Sequence, residues 1–348
     1  MNRTSIFLLL VTMATFCFGQ NVAVIDGFSD KYYAIVNIKP EEENEVFKKG
    51  IVSIISKSDK KEIIIIESDE LTFDLNENGN IETNIIEYPY GKQSIIICQD
   101  FNFDGINDLA VMDGYLSCYH GPSFQIYLDT PNGLQYSQDF TELAHNYCGM
   151  FDVDYEKQLI YTMTKSGCCW HRFSTFKVIN DTPQLILSEE QDTRTYPYSI
   201  TTTTEYNNGL ETEFVEKIID LDDEQIDIIL SFDLINSEKK VILFTYIDNL
   251  LNYALIKSDM DVEFSFPTEM EYTNRDFIMD STKNQLIFSN QNTVCQIYEQ
   301  RNRNNTISKI GIKISINGKK YHLKGYINSI KGTLENINKI PLGNVVFK

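Results

Sequence analysis

Short runs of β-branched and aromatic residues, separated by turn dipeptides, recur along almost the whole chain. Lys61 to Glu67 reads KEIIIIE, Ser94 to Cys98 SIIIC, Phe124 to Leu128 FQIYL and Gln158 to Met163 QLIYTM. Val241 to Tyr246, Gln285 to Ser289, Ile310 to Ile316 and Tyr321 to Tyr326 continue the series. Such side chains suit a pleated, half-buried surface, and short runs bounded by turn signals read as strands. The turns are Asn132-Gly133, Asn208-Gly209 and Asn317-Gly318. The last, inside ISINGKKYHL, predicts a hairpin, because Asn-Gly accepts the positive φ angles of a type I′ turn. A 3.6-residue apolar period is scarce. Glu41 to Lys49 and the stretch around Thr141 to His145 are the two segments expected to form short helices. The class is therefore mostly β, built of antiparallel sheets.

Residues 1–19 form an expected signal peptide. Arg3 precedes an apolar stretch from Ile6 to Phe18, and small Gly19 marks the cleavage point before Gln20. Cys17 also suggests a lipoprotein, but Phe16 is bulky where a small residue belongs. The apolar stretch is too short to span a bilayer, which takes about 20 residues. No later segment is long and apolar enough to cross one, so no integral membrane segment is expected in the mature chain. The expected location is periplasmic or secreted. Two domains follow: residues 20–190, holding most of the cysteines and the Gly-Asp loops, and 200–348, smaller and also β-rich. Ser188 to Thr204, with its run of threonines, reads as a linker or as an edge strand.

The net charge is -20. Phosphate backbones need clustered Lys and Arg, so the balance excludes a nucleic-acid partner. It fits cation binding, a basic protein partner or plain solubility. Six cysteines lie beyond the leader: Cys98, Cys118, Cys148, Cys168, Cys169 and Cys295. An even count in an exported chain makes all six disulfide candidates, mostly stapling the N-terminal half. Cys168 and Cys169, adjacent on a strand, are expected to face opposite ways and take different partners. A disulfide from Cys148 to one of them outweighs a zinc site built from His145, Cys148, Cys168 or Cys169, and His171.

The sharpest motif is Asp100-Phe-Asn102-Phe-Asp104-Gly105-Ile106-Asn107-Asp108. Oxygen-bearing side chains stand at positions 1, 3, 5 and 9, glycine at 6 permits the tight curl, and the Ile106 carbonyl supplies position 7. Hard oxygen donors at that spacing suit Ca²⁺. Position 12 is Val111 rather than a bidentate glutamate, so the site is a strand-loop-strand one. Its shell needs another donor, for which Asp113 is a candidate. Phe101, Phe103 and Leu109 supply interleaved apolar anchors. A weaker echo, Asp74, Asn76, Asn78, Asn80 and Glu82, is a second metal-loop candidate that reads more readily as a hairpin turn.

No catalytic motif is present: there is no GxSxG, P-loop, GxGxxG or HExxH. Acidic groups such as Asp152, Asp154 and Glu156, or Asp220 to Glu224, read as solvated edges and turns. A non-enzymatic protein is expected.

QDFNFDGINDLAV resembles the calcium loops of FG-GAP repeats, the blade loops of integrin-α propellers. Together with FQIYLDTPNGLQYSQDFTELAHN and FDVDYEKQLIYTMTKSGCCWHRFSTFKV, it is similar to a family of exported bacterial proteins. That family includes an immunity protein against a lysozyme-like effector of type IV secretion. The resemblance covers about residues 60–190 and carries over the loop: Asp100, Asn102, Asp104, Ile106 and Asp108. It matches no inhibitory segment here, and the second half fits no family. The resemblance implies a propeller-like or sandwich N-terminal domain and bound Ca²⁺. The implied function is binding, and inhibition, of a basic lysozyme-like peptidoglycan hydrolase. The alternatives are a calcium-dependent adhesion or surface-binding module, and an unrecognised glycan hydrolase.

Overall fold

The computed structural model describes residues 21–42, 44–73, 75, 77, 79–87, 91–246, 249–257, 260–268 and 272–348. The expected leader over 1–19 lies outside them. The chain divides into two compact units, residues 1–164 with 173–186, and residues 165–172 with 187–348.

The first unit starts with four strands, β1 (Asn21–Ile25), β2 (Tyr32–Ile38), β3 (Lys48–Ser56) and β4 (Glu62–Leu71). They pair antiparallel in sequence order. A second sheet, also in sequence order, holds β5 (Ile96–Gln99), β6 (Asp108–Ser117), β7 (Gly121–Thr130) and β8 (Gly133–Tyr136). Helix α1 (Gln138–Asn146) follows, its first turn capped by the Ser137 side chain. Then come β9 (Asp152–Asp154), β10 (Leu159–Ser166), β11 (Trp170–Ile179) and β12 (Thr182–Asp192), of which residues 165–172 and β12 from Leu187 belong to the second unit. Both four-stranded sheets contribute to one core: Val36, Val52, Ile54 and Ile66 from the first, Ile96, Val111 and Phe124 from the second, with Phe140 from α1. Alternation makes this possible, since every second side chain of β4 is buried.

The second unit contains β13 (Tyr198–Asn207), β14 (Leu210–Ile219), β15 (Ile226–Asp233), β16 (Lys240–Tyr246), β17 (Leu250–Ile256) and β18 (Val262–Phe266). It continues with β19 (Phe277–Asp280), β20 (Gln285–Asn290), β21 (Thr293–Arg301), β22 (Ile307–Ile316), β23 (Lys319–Lys324), β24 (Lys331–Gly332) and β25 (Val345–Phe347). One sheet has the order β18-β17-β16-β15-β24 and another β23-β22-β21-β20-β19-β25. They share a core that includes Leu230, Phe232, Leu243 and Tyr253 on one side and Phe277, Leu286, Ile297 and Ile312 on the other. The β19–β25 pair is parallel; its neighbours β19–β20, β20–β21, β21–β22 and β22–β23 are antiparallel.

The mostly β, antiparallel expectation holds. The sheets pack in sandwich-like layers, and among the described residues none closes into a barrel. Three local expectations are corrected. Glu41 to Lys49 is not a helix: a 3₁₀ turn spans Pro40–Glu42, and the chain enters β3 at Lys48. Val46 is 74% exposed, so the segment has no buried stripe to support helix. The Ser188 to Thr204 stretch is neither linker nor edge. Thr201 to Thr204 lie in β13, paired with β12 on one side and β14 on the other. Asn132-Gly133 is displaced by one: Thr130 pairs with Gly133, so Pro131 and Asn132 form the turn.

Candidate functional site

The DFNFDG loop connects β5 to β6, whose ends pair at Gln99 and Asp108. Both ends of the loop are thus held on one rung of a buried sheet. Within it the acidic side chains fold back onto amides. Asp100 Oδ1 accepts the Asp104 N–H at 3.1 Å, and its Oδ2 accepts the Gly105 N–H at 2.8 Å. Asn102 Oδ1 also accepts the Asp104 N–H, at 3.2 Å, and Asp104 Oδ1 accepts the Ile106 N–H at 2.7 Å. Short Asx side chains bonding amides a few residues on make the backbone curl. Gly105 has φ 87°, and a Cβ there would touch nothing within 4 Å. Glycine is therefore required for its conformation, not for space.

The apolar anchors behave as expected. Phe101 is fully buried with its ring edge-on to Phe151 at 5.3 Å. Phe103, at φ 64°, meets Tyr155 at 6.1 Å. Leu109 is buried in the same core.

Asp108 is fully buried. Its Oδ2 accepts the Phe101 N–H at 2.8 Å and its Oδ1 the Asp129 N–H at 2.9 Å. Burial pushes its carboxyl up to about 7; the two main-chain donors oppose that rise, and the charges of Asp104 and Asp100 add to it. The same desolvation lifts the neighbouring Cys98 thiol to about 11, with the Asp108 and Asp129 charges adding.

A second carboxylate reaches the loop from far along the chain. Asn102 Nδ2 donates to Asp181 Oδ1 at 2.9 Å. Asp181 sits in the Asn180-Asp181 turn, where both residues have positive φ. No local pattern marks it, because the contact spans 79 positions. Asp113, the candidate extra donor, is committed elsewhere. Its Oδ1 accepts the Ser123 hydroxyl at 2.6 Å, and its Oδ2 lies 2.9 Å from His145 Nε2.

None of Asp100, Asp104 and Asp108 forms an ion pair with a described residue. Among the described residues, no group of three or more His, Cys, Asp or Glu side chains is gathered closely enough to hold a metal ion. The donors present are all oxygens. A carboxylate oxygen bonded to one amide keeps a lone pair for a second partner. Oxygen donors of this kind suit a hard cation rather than a thiophilic metal.

In the second candidate loop, Asp74, Asn76 and Asn78 lie outside the described residues. Leu75 bridges Ile81 antiparallel and Gly79 has φ 78°, which is turn geometry. Asn80 is exposed, and Glu82 takes the Lys92 ammonium at 3.1 Å.

The cysteines pair differently from expectation. Cys118 bonds Cys148, and Cys168 bonds its neighbour Cys169. The latter two occupy a turn after β10, not a strand, so strand alternation does not separate them. Cys148 thus takes neither of them. Cys98 and Cys295 are free and buried: each is a small apolar residue in a core strand, and the even count was coincidental. With four thiols in disulfides and His145 on Asp113, the residues weighed for zinc are not assembled.

No family model matches the chain, and no curated protein matches it. Among solved structures, it is similar to a Xanthomonas type IV secretion system related protein, with TM-score 0.42 and 20% identity over 55% of this chain and 92% of that one. A putative 6-phosphogluconolactonase from Bacteroides uniformis gives TM-score 0.21 and 8% identity over 86% and 83%. A prolyl endopeptidase structure gives TM-score 0.23 and 8% identity over 88% and 50%. All three scores are below 0.5, so none assigns a function.

Proposed function

We propose that this protein is an exported, non-enzymatic protein-binding module whose first unit is stabilised by Ca²⁺ in the Asp100–Asp108 loop. The observation that carries this is the loop itself. Three carboxylates lie within nine residues of a loop closed by the Gln99–Asp108 rung, with no ion-pair partner among the described residues. Asp100, Asn102, Asp104 and the Ile106 carbonyl would hold the cation, with Asp181 as the added donor and Asp108 bracing the loop from beneath. The ion would offset repulsion among these groups. The Cys118–Cys148 disulfide fits an oxidising compartment. The partner is a basic protein, since a net charge of -20 speeds encounter with opposite charge. The motif resemblance narrows it to a lysozyme-like peptidoglycan hydrolase that the module inhibits.

Thermal melting in Ca²⁺ and in EDTA, with and without a panel of lysozymes, tests both parts. At a hundredfold excess over Kd, a bound ion stabilises by about 2.7 kcal/mol. Asp104→Ala is expected to abolish that rise, and a mutant that still responds removes the site assignment. A further rise with one lysozyme, together with lost lytic activity, supports the inhibitor role. A calcium response with no lysozyme effect favours an adhesion module, and turnover of cell-wall glycan overturns the non-enzymatic reading.

A further inference from the structure

Two strands of the second unit end their sheets, and they carry opposite charge. β14 is the last strand beyond β13. Residues 210–216 are exposed on both faces, with Phe214 58% and Val215 60% exposed. Glu211, Glu213 and Glu216 form no ion pair with a described residue. β23 ends the six-stranded sheet. There Lys319, Lys320, His322 and Lys324 are exposed, and Tyr321 is 48% exposed. β23 lies within residues 300–334, which hold eight Lys and Arg and no Asp or Glu in a chain of net charge -20. The free edges are bounded. Ile218 bridges Asp261 at the base of β14, and the Ile235 N–H donates to the Lys324 carbonyl at the end of β23.

The ladders fix which main-chain groups face outward. Asn207 pairs with Leu210 across the Asn208-Gly209 turn, so Glu211, Glu213 and Val215 turn their N–H and C=O away from β13. The Gly325 N–H bonds the Ile310 carbonyl, so Lys320 and His322 turn theirs away from β22.

We infer that β14 of one copy adds, antiparallel, to β23 of a second copy. With Glu213 opposite His322, Val215 falls opposite Lys320, and outward main-chain groups meet across both pairs. The same register sets Phe214 against Tyr321, Glu216 against Lys319 and Glu211 against Lys324. Aromatic pairs and opposite charges directly across a ladder stabilise it. Charged edges normally block pairing. Here they block β14 with β14 and β23 with β23, leaving the mixed pair. The occupant is a second copy because both edges belong to one chain and match side chain for side chain. The contact is head-to-tail, so it gives rings or open chains of copies. It does not depend on the calcium loop.

The test is light scattering on the full chain from micromolar to millimolar concentration in about 0.15 M NaCl. There the Debye length of about 8 Å screens the overall repulsion but not contacting pairs. The wild type is expected to grow in mass with concentration. Glu213→Lys with Glu216→Lys, and separately Lys319→Glu with Lys320→Glu, should each weaken association at least about tenfold. Mixing the two double variants should restore it, because each then offers the edge that the other lacks. A wild type that stays monomeric overturns the inference, as do variants that associate normally or a mixture that fails to recover. If a double variant loses the wild-type circular dichroism, Phe214→Ser replaces it. Phe214→Ser removes the contact with Tyr321, and normal association of that variant likewise overturns the pairing.

Discussion

In the second unit one buried carboxylate is held by several donors. Glu299 is almost fully buried. One of its oxygens accepts Arg301 Nε at 2.8 Å, and the other accepts the Leu334 N–H at 2.9 Å, while Thr333 donates its hydroxyl to the carboxylate. Arg301 continues to the Asn305 carbonyl and to Glu335. Removing one member of a buried pair leaves an uncompensated charge, which costs about 3 kcal/mol or more. Arg301→Leu is therefore expected to lower stability by that amount in urea unfolding, whereas Lys61→Leu, an exposed pair with Asp59, should change it little. The residues that curl the DFNFDG loop were legible in the sequence at this scale because the code is local: Asp100, Asn102 and Asp104 accept amides within five positions, and Gly105 takes the positive φ. Asp181 and the true partner of Asp113 were not, since each depends on segments far apart in sequence.

Between elements, two cross-links hold α1 and its neighbours. The Cys118–Cys148 disulfide closes a 30-residue separation around β7, β8 and α1. Removing such a cross-link typically costs about 3 kcal/mol, so Cys118→Ser with Cys148→Ser should lower the unfolding free energy by that amount, read in urea unfolding. Reductant should then have little further effect on this region. The second link is His145, near the end of α1, bonded to Asp113 on β6. The Asp113 hydrogen bond raises the His145 pKa above its ordinary 6.5, against the opposing pull of burial. A raised folded-state pKa gives stability that is fully present below about 6.5 and is lost as pH rises through the folded value. Stability measured by urea unfolding from pH 5.5 to 8.5 should show that loss, and Asp113→Asn should remove the part due to His145, leaving the part below about pH 7 that comes from the raised Asp108 carboxyl. A pH profile unchanged by the substitution would sever this link. At the element scale the sequence was a good guide. The β-branched runs became β4, β5, β7, β10, β16, β20, β22 and β23, and Asn208-Gly209 and Asn317-Gly318 became hairpin turns with positive φ at all four residues. Glu41 to Lys49 failed because a polar, locally helical pattern has no core to bury against.

Over the whole molecule, charge is the dominant long-range term. A net charge of -20 destabilises the compact state by self-repulsion. Raising NaCl from about 0.01 to 0.15 M shortens the Debye length from about 30 to 8 Å and should raise the melting temperature by a few degrees. Millimolar CaCl₂ at matched ionic strength should add a further rise in the wild type and none in Asp104→Ala, separating a specific ion from general screening. By itself, the sequence determined that the chain is β-rich, where it turns, and that one acidic loop curls on itself. Each of these follows from period-two alternation, turn φ preferences and Asx bonding, which operate over a few residues. Only the tertiary structure decided which cysteines pair and that the threonine run is an interior strand. It alone brought Asp181 to the loop and left an acidic and a basic strand as sheet edges. Those outcomes depend on which distant segments share a core or a ladder, and local pattern carries no record of that choice.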